Sequence, residues 1–521
     1  MLQTVPEITP FRNEPFTDFS QESNRQAFQE ALQKIESRLP VVVRLWIDGE
    51  ESDGAGTFNS VDPGQPDRVV ANSARGGRED AVRAIAGAHK AFPAWAAKSA
   101  AERADILFRA ARAMRLHKHE FSAMMVYEVG KNWVEADADT AEAIDFLEFY
   151  AREALRYARK QPITPHPAED NELVYIPLGV GAVIPPWNFP LAILVGMTSA
   201  ALVAGNTVVL KPSSDAPGIA SMFVDLMREC GVPPGVLQFV PGPGGEVGNT
   251  LVEHPMTRFI SFTGSMEVGK GIYEKAGRTP EGQIWLKRVV AEMGGKDFMF
   301  LDEDADLNRA ARDIHAAAFG FQGQKCSACS RLIVHEKVHD ALLERLLPLI
   351  RETRIGHTAD PENWLGPMIN EKAFNDALAA IEHGKDEGQL LCGGERAGET
   401  GWFLQPTVFD GVQRHHQLFR TEFFAPILSV HTVQNFEEGL EAANDTIYGL
   451  TGSYYGKDEE KIARAKKELF CGNLYINRKC TGALVGCHPF GGFNMSGTDS
   501  KAGGRDYLLL FLQAKTISRA R

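Results

Sequence analysis

A segment without charged residues, 173–210, limits the possible folds more than any other feature of the chain. On length alone it could cross a bilayer, which takes about 20 apolar residues. Four prolines interrupt it, and its pattern predicts a strand over 180–184, a helix over 191–204 and a second strand over 207–210. Continuous apolar strands joined by a helix are typical of a parallel sheet that is buried on both faces. The segment therefore predicts a β-α-β unit in a globular core.

The same alternation continues along the chain. From 173 to about 300, short Val, Ile and Phe runs alternate with helices, which predicts a doubly wound parallel sheet. A second alternation runs from 298 to about 477, while 20–38 and 78–160 are mostly helical by period. We therefore expect an α/β fold with two doubly wound domains in series. The cleft between two such domains is the usual place for a ligand.

Composition excludes several classes of protein. The 521 residues include 55 Lys+Arg and 68 Asp+Glu, a formal net charge of −13, which opposes non-specific binding to nucleic acid or to an anionic membrane. The first twenty residues lack the basic start and the apolar stretch of a secretory signal. The odd number of cysteines, 7, predicts at least one free thiol and a reducing compartment, so we expect a cytoplasmic protein.

A glycine-containing turn gives the first nucleotide signal. Gly264 and Ser265 follow a predicted strand, 258–262, and precede a helix, the order in which backbone N–H groups meet a phosphate. The run from Gly264 to Lys270 also nearly matches the phosphate loop of ATPases, and an apolar strand that ends in Asp302 imitates their metal-binding acid. Position 271 is glycine, so the hydroxyl that would bind magnesium is missing. Both interpretations stay open on these residues alone.

Cys326 is the candidate nucleophile. It follows a polar, glycine-containing loop, 320–325, and Lys325 beside the thiol would favour the thiolate. Cys329 lies three residues on, but the absence of a second pair at similar spacing opposes a zinc site, and we expect no metal. The alternative for any single cysteine is an inert buried residue. We further expect mild oxidation to join Cys326 to Cys329.

Seven motifs, spread in order over nearly the whole chain, identify a family. The chain resembles the aldehyde dehydrogenase superfamily, and within it the 1-pyrroline-5-carboxylate dehydrogenase branch through 127–136, 323–328 and 477–486. The motifs of the superfamily are Pro-Trp-Asn-Phe-Pro at 186–190, Lys-Pro at 211–212, Phe-Thr-Gly-Ser at 262–265, Glu-Met-Gly-Gly-Lys at 292–296, Gly-Gln-Lys-Cys at 323–326, Glu-Phe-Phe-Ala-Pro at 422–426 and Pro-Phe-Gly-Gly-Phe at 489–493.

This resemblance implies the catalytic residues. Cys326 would attack the aldehyde carbon, because a thiolate is a strong nucleophile and can leave again from a thioester. The side-chain amide of Asn188 and the backbone N–H of Cys326 would hold the oxyanion. After hydride transfer to a nicotinamide, Glu292 would act as general base on the water that hydrolyses the thioester.

The resemblance also implies the cofactor site. Lys211 would reach the adenosine ribose, Ser265 the pyrophosphate and Glu422 the nicotinamide ribose. Many relatives have glutamate where this chain has Ser214, and a neutral hydroxyl does not repel a 2′-phosphate, so we expect NAD and leave NADP open. The remaining residues implied for cofactor binding are Pro186, Trp187, Gly264, Gly294 and Phe424.

The implied reaction is the oxidation of L-glutamate γ-semialdehyde to L-glutamate, the second step of proline breakdown. The backbone of Gly482 and Ala483, with Ser327, would bind the α-carboxylate. Phe189 and Phe493 would flank the aliphatic chain, and Lys325 completes the implied substrate set. The alternatives are a dehydrogenase for another carboxylated aldehyde, such as succinate semialdehyde, and the phosphate-loop ATPase.

The implied domains follow the family's arrangement. We expect an NAD(P)-binding domain over 1–161 and 177–291 with the N-terminal helices, and a catalytic domain over 292–490. An oligomerisation arm and C-terminal tail would take 162–176 and 491–521, with the arm extended and a strand over 507–518. Such segments join subunits in the family, so we expect a homo-oligomer, a dimer or larger, with a small-molecule substrate and no nucleic-acid or membrane partner.

Overall fold

The computed structural model describes residues 9–521. Part of the segment in which we expect no secretory signal, residues 1–8, lies outside that range. Within 9–521, no helix combines the length and the apolar character that crossing a membrane would take.

The N-terminal part of the chain contains strands that the sequence analysis did not predict. They are short or irregular in pattern, so that periodicity gives little signal. Three of them form a small sheet in the order β1-β5-β4, and the other two extend the first large sheet. The elements are α1 (Glu22–Glu36), β1 (Val41–Val43), β2 (Leu45–Ile47), β3 (Glu50–Ser52), β4 (Thr57–Asp62) and β5 (Gln65–Ala74).

The predicted helical region, 78–160, is four helices. They are α2 (Arg78–Ala97), α3 (Ala100–Leu116), α4 (Lys118–Val129) and α5 (Trp133–Tyr157). Gly130, at a φ of 69°, ends α4 in the left-handed conformation that glycine adopts without strain. Two residues later the side chain of Asn132 accepts a hydrogen bond from the N–H of Glu135 and begins α5. The tight turn between the two helices, 130–132, meets the loop at 320–325, where the side-chain amide of Gln322 donates to the carbonyl of Gly130 at 3.3 Å.

The first large sheet confirms the predicted β-α-β unit and the doubly wound alternation. Its strand order is β11-β10-β7-β8-β9-β2-β3, parallel from β11 to β9. Its elements are β7 (Val180–Ile184), α6 (Ala192–Val203), β8 (Thr207–Leu210), α7 (Pro217–Glu229), β9 (Leu237–Phe239), α8 (Asn249–Glu253), β10 (Thr257–Thr263), α9 (Met266–Ala276) and β11 (Arg288–Glu292).

The second large sheet has the order β14-β15-β16-β13-β12-β17-β18, and only β14 is antiparallel. Its elements are β12 (Asp297–Leu301), α10 (Leu307–Phe319), β13 (Cys329–His335), α11 (Glu336–Arg351), α12 (Glu371–Gly384), β14 (Gln389–Cys392), β15 (Thr407–Asp410), α13 (Gln417–Arg420), β16 (Ile427–Val433), α14 (Phe436–Asn444), β17 (Thr451–Tyr455), α15 (Glu459–Glu468) and β18 (Asn473–Ile476). Because β11 ends at Glu292 and β12 begins at Asp297, residues 293–296 cross from one sheet to the other.

A two-stranded antiparallel ribbon joins β6 (Glu169–Pro177) to β19 (Leu512–Ala520). The predicted strand over 507–518 therefore begins too early. Tyr507–Phe511 form a 3-10 turn instead, because Tyr507, Leu508 and Phe511 are buried in the core. The domain boundaries stay a prediction, but Gly492 and Ser500, both within the predicted tail, donate hydrogen bonds to Glu292 rather than pairing along the ribbon.

Candidate active site

A pocket at the junction of the two large sheets collects most of the predicted reactive and substrate-binding residues. Cys326 and Glu292 both line it. Four other predicted residues line the same pocket, which supports a common role: Phe189, Ser327, Gly482 and Ala483.

The loop before Cys326 has an unusual backbone. Phe321 and Gln322 have φ of 51° and 58°, a conformation that residues other than glycine adopt rarely. The side-chain amide of Gln322 donates to the carbonyl of Pro367 at 2.8 Å, and Oε1 of Gln324 accepts from the N–H of Ile369 at 2.9 Å. These buried hydrogen bonds stabilise the strained loop, which places the thiol at the start of the segment leading into β13.

The Cys326 thiol is surrounded by carboxyl groups. Burial raises its pKa above the ordinary value, and Asp297, Glu422 and Glu292 raise it further. Lys325 does not offset this effect, because its ammonium pairs with Glu135 at 2.5 Å. The prediction that Lys325 favours the thiolate is therefore wrong. Lys325 is also absent from the residues that line the pocket, so its predicted contact with substrate has no support.

Glu292 is held at the end of β11. The hydroxyl of Ser500 donates to one carboxylate oxygen, and the N–H of Gly492 donates to the other at 3.3 Å. Burial nevertheless raises the pKa of Glu292 to about 8, because these hydrogen bonds offset only part of the desolvation. The group is thus poised to gain or lose a proton near neutral pH, as a general base requires.

Asn188 lies beside the nucleophile loop. Its side chain is buried, and the amide donates to the carbonyl of Gln324 at 3.2 Å. The backbone N–H of Ser327 donates to the Cys326 sulfur, which favours the thiolate slightly. The contribution of Asn188 to an oxyanion site stays a prediction. It is supported by the hydrogen bond from Asn188 to Gln324, because Gln324 lies two residues before Cys326.

Lys211 has the surroundings expected of a cofactor ligand. It follows β8, and its buried ammonium donates to the carbonyls of Pro212 at 2.6 Å and Gly242 at 3.1 Å. An ammonium has three protons, so one is left for a ribose hydroxyl. Burial lowers the pKa of Lys211 to about 8. Ser214 is exposed close by in sequence, at the position that bears on the choice between NAD and NADP.

The helix α9 begins immediately after Ser265, whose hydroxyl accepts from the N–H of Val268 at 3.4 Å. The free N–H groups of the first turn suit a pyrophosphate. Gly264 precedes it and donates its N–H to the carbonyl of Glu292 at 3.1 Å. The predicted phosphate-binding turn is therefore tied directly to the predicted general base.

Glu422 reaches across from the second sheet. Its carboxylate accepts from the N–H of Gly295 at 3.0 Å, and a side chain at Gly294 would overlap it. Burial raises the pKa of Glu422 to about 7. Nearby, the rings of Trp187 and Phe424 meet edge to face with centroids 5.6 Å apart. Pro186, half-buried, lies next to Trp187. Together, Lys211, the N-terminus of α9 and the Glu422 carboxylate fit a dinucleotide bound across both sheets.

The phosphate-loop alternative does not fit this geometry. Only Gly264 and Ser265 separate β10 from α9, so the residues that would wrap a phosphate are already helical. Lys270 is exposed on that helix. The supposed metal-binding acid, Asp302, directly follows β12 of the second sheet and pairs with Lys461 at 2.9 Å.

Comparisons with known proteins agree with this geometry. The Aldehyde dehydrogenase family matches residues 46–517. The chain belongs to this family. It is 51% identical over 511 residues to a 1-pyrroline-5-carboxylate dehydrogenase of Geobacillus thermodenitrificans, covering 98% of this chain and 99% of the relative.

Two solved structures are similar to the whole chain. A 1-pyrroline-5-carboxylate dehydrogenase from Thermus with bound NAD has a TM-score of 0.97 at 47% identity, covering 99% of this chain and 100% of that one. An NAD-dependent aldehyde dehydrogenase from Sinorhizobium meliloti has a TM-score of 0.88 at 32% identity, covering 93% and 96%. The predicted aldehyde dehydrogenase fold is confirmed.

One predicted pocket residue of this aldehyde dehydrogenase is wrong. Phe493 packs against Phe470, with ring centroids 5.1 Å apart, and is absent from the pocket. Phe490, three residues earlier in the same motif, lines the pocket instead. The two phenylalanines flank Gly491 and Gly492, whose buried, tightly packed backbone turns the chain between them, so the sequence alone could not say which one faces the substrate.

Among the pocket residues that the sequence did not predict, three carry titratable groups. Glu142 lines the pocket from α5, seven residues after Glu135, so the helical period would have placed both on one face. Tyr150 and Tyr507 also line it, stacked with centroids 5.4 Å apart. Neither tyrosine has a sequence signal, because their contact joins segments far apart in the chain.

All seven cysteines lie in the described part of the chain and are unpaired. Cys329 is buried and makes a hydrogen-bonding contact with Cys480, whose sulfur donates to the carbonyl of Ser327 at 3.5 Å. The oxidation of Cys326 with Cys329 stays a prediction, and it would have to break that contact.

The carboxyl groups around Cys326 make its reactivity testable in the free enzyme. Because the thiol pKa is raised, alkylation of Cys326 by iodoacetamide should accelerate about tenfold per pH unit between pH 7 and 9. Glu292→Gln removes a negative charge that is present mainly above pH 8, so it should lower the thiol pKa and speed alkylation at pH 9, with a smaller effect at pH 7.

Mass spectrometry of the Cys326 peptide measures this rate separately from the exposed Cys487. Glu267→Gln, an exposed carboxylate on α9, is the matched control and should leave the rate unchanged. Slower alkylation in Glu292→Gln at pH 9 would mean that Glu292 takes the thiol proton, contrary to this account.

Proposed function

We propose that this aldehyde dehydrogenase oxidises L-glutamate γ-semialdehyde to L-glutamate with NAD, a step of proline catabolism. The observation that carries the proposal is the pocket itself. The pocket places the Cys326 thiol together with Glu142, which suits an ammonium group. It also contains Ser327, Gly482 and Ala483, which suit a carboxylate. Relatives about half identical over nearly their whole length are named 1-pyrroline-5-carboxylate dehydrogenase, which supports the same assignment.

The carboxylate end of the substrate would meet N–H and O–H groups. Gly482 has a φ of 78°, a left-handed conformation that turns its backbone and that of Ala483 at the pocket wall. Ser327 adds a hydroxyl beside them. Such a small concave set of donors binds a carboxylate without needing a lysine or arginine.

The ammonium end would meet Glu142. Three carboxyl groups of α5 point the same way, and two of them already have cations: Glu135 pairs with Lys325 and Asp139 with Lys131. Within residues 9–521, no side chain donates a hydrogen bond to Glu142, and burial raises its pKa to about 8. A substrate ammonium would favour the ionised carboxylate, so binding compensates for the burial.

The reaction then follows from the positions of the side chains. Cys326 loses its proton to solvent and its sulfur bonds to the aldehyde carbon, while Asn188 and the N–H of Cys326 would stabilise the negative oxygen. Lys211, Ser265 and Glu422 would hold NAD, which would accept the hydride that leaves the substrate carbon as the oxyanion collapses to a thioester on Cys326. Glu292 takes a proton from water, which attacks the thioester carbon and releases L-glutamate from the sulfur.

We also propose the assembly and the location. In the β6–β19 ribbon each strand pairs on one edge only, and most of β19 is exposed. A strand edge of this kind pairs readily with another chain, which supports a homo-oligomer, a dimer or larger. Seven free thiols support a reducing compartment, the cytoplasm.

Glu142 separates the proposed substrate from succinate semialdehyde, which has no ammonium group. Glu142→Gln should raise KM for L-glutamate γ-semialdehyde about tenfold, since a hydrogen bond to a charged group contributes about 1.5–3 kcal/mol. KM for succinate semialdehyde should stay the same or fall, because a negative charge is removed. Steady-state kinetics with NAD measure both.

Glu148→Gln, on α5 and paired with Arg152, is the matched control and should change neither KM. A wild-type kcat/KM that is higher for succinate semialdehyde would contradict the proposed substrate. An equal change of both KM values in Glu142→Gln would contradict the role of Glu142.

Ser214 provides a test of the cofactor site that does not depend on turnover. Ser214→Glu places a carboxylate where it repels a 2′-phosphate, so Kd for NADP should rise at least about tenfold while Kd for NAD changes little. Nucleotide titration followed by tryptophan fluorescence measures both, with Ser214→Ala as control. Equal weakening of NAD and NADP would place Ser214 away from the 2′ position.

A further inference from the structure

The motif at 127–136 has no assigned role, although it carries part of the family resemblance. Lys131 lies in its centre, in the turn between α4 and α5, and is fully buried. Its ammonium is 2.9 Å from a carboxylate oxygen of Asp139, and both side chains are 0% exposed. The free energy of desolvating two buried charges can equal their Coulombic attraction. A buried pair of this kind is therefore weak evidence for a contribution to stability alone.

Two aromatic rings cover the ammonium. It lies 3.9 Å from the ring centroid of Phe189 and 4.4 Å from that of Phe321. A cation over an aromatic face is attracted by the negative face of the ring, most strongly where water is excluded. Phe189 is next to Asn188 and lines the pocket, whereas Phe321 belongs to the strained loop before Cys326. Lys131 therefore connects the two loops that must meet at the reacting carbon.

Asp139 holds the same region from a second point. Its other carboxylate oxygen accepts from the N–H of Ala192, the first residue of α6, at 2.6 Å. The segment from Asn188 to Ala192 is thus fixed at both ends, at Phe189 by the cation and at Ala192 by the anion. The Phe189 ring could rotate toward the pocket only by losing its contact with the Lys131 ammonium.

We propose that Lys131 is a positioning residue that sets the place of Phe189 relative to the Cys326 loop and so determines how the aliphatic chain of the substrate is held. This inference rests on the proposed function, because Phe189, which is predicted to flank that chain, lines the pocket together with Phe490. Lys131 itself does not line the pocket, so it acts through the two rings.

Replacing the lysine isolates the effect of the charge. Methionine has a side chain of similar length and no charge, so Lys131→Met keeps most of the packing and removes the cation from both rings. Burial already raises the pKa of Asp139, and without Lys131 the group would take up a proton and become neutral. Lys131→Arg keeps the cation, and Lys131→Met/Asp139→Asn removes both charges without leaving an unpaired one.

The matched control is Lys118→Met. Lys118 of α4 pairs at 2.9 Å with Asp137, two residues before Asp139 on α5, but it contacts the N-terminal segment at Thr17 rather than the pocket. A lysine that acts only in folding should lower the melting temperature and leave KM of the folded enzyme unchanged. Lys118→Met should show that behaviour.

Steady-state kinetics with L-glutamate γ-semialdehyde and NAD, and calorimetric binding of the product L-glutamate, test the proposal. Lys131→Met and the double variant should raise KM and weaken L-glutamate binding at least about tenfold, since a misplacement near 1 Å can cost 100-fold. Lys131→Arg should recover most of the loss. Normalising to folded protein by thermal unfolding removes differences in stability.

Wild-type KM and wild-type L-glutamate affinity in the folded double variant would overturn the proposal, and the double variant serves if Lys131→Met does not fold. Loss in Lys118→Met equal to that in Lys131→Met would overturn it as well. If the wild-type enzyme neither oxidises the semialdehyde nor binds L-glutamate, the proposed function fails first, which is a separate result.

Discussion

The active site depends on one constraint, the burial of a thiol among carboxyl groups. Asp297, Glu422 and Glu292 surround Cys326, and each of them disfavours the thiolate. This arrangement costs reactivity in the resting enzyme. In the proposed mechanism the same exclusion of water would strengthen the hydrogen bonds from Asn188 and the N–H of Cys326 to the developing oxyanion, because electrostatic interactions are stronger where the dielectric constant is low. On this proposal the site stabilises charge on the substrate oxygen rather than on the free sulfur.

The surrounding structure keeps this site in place by long-range contacts. Gln322 and Gln324 fix a strained loop through the segment at 367–369, and Ser500 holds Glu292 from the C-terminal region. The Lys131–Asp139 pair links the loop that carries Asn188 to the loop that carries Cys326. The contacts of Gln322, Gln324 and Ser500 span 45 to 208 residues of sequence, so the site forms only when distant segments pack together.

Sequence reasoning recovered the local features. The strands Val180–Ile184 and Thr207–Leu210 were predicted with the observed bounds, since each is a short apolar run bounded by turn-forming residues. The family motifs also identified six residues that line the pocket, because each motif contains its functional residues within a short stretch of sequence. Sequence reasoning did not predict contacts between distant partners. Lys325 pairs with Glu135 across 190 residues, and no local pattern near either residue indicates the pair.

In the proposed reaction the acyl group is bonded to Cys326, and Glu292 activates the water that hydrolyses it. The most direct measurement is intact-protein mass spectrometry of Glu292→Gln, quenched with acid after mixing with L-glutamate γ-semialdehyde and NAD. An acyl adduct should accumulate and map to Cys326, with none in Cys326→Ala. Turnover at the wild-type rate in Glu292→Gln, with no adduct, or an adduct on another residue, would contradict it.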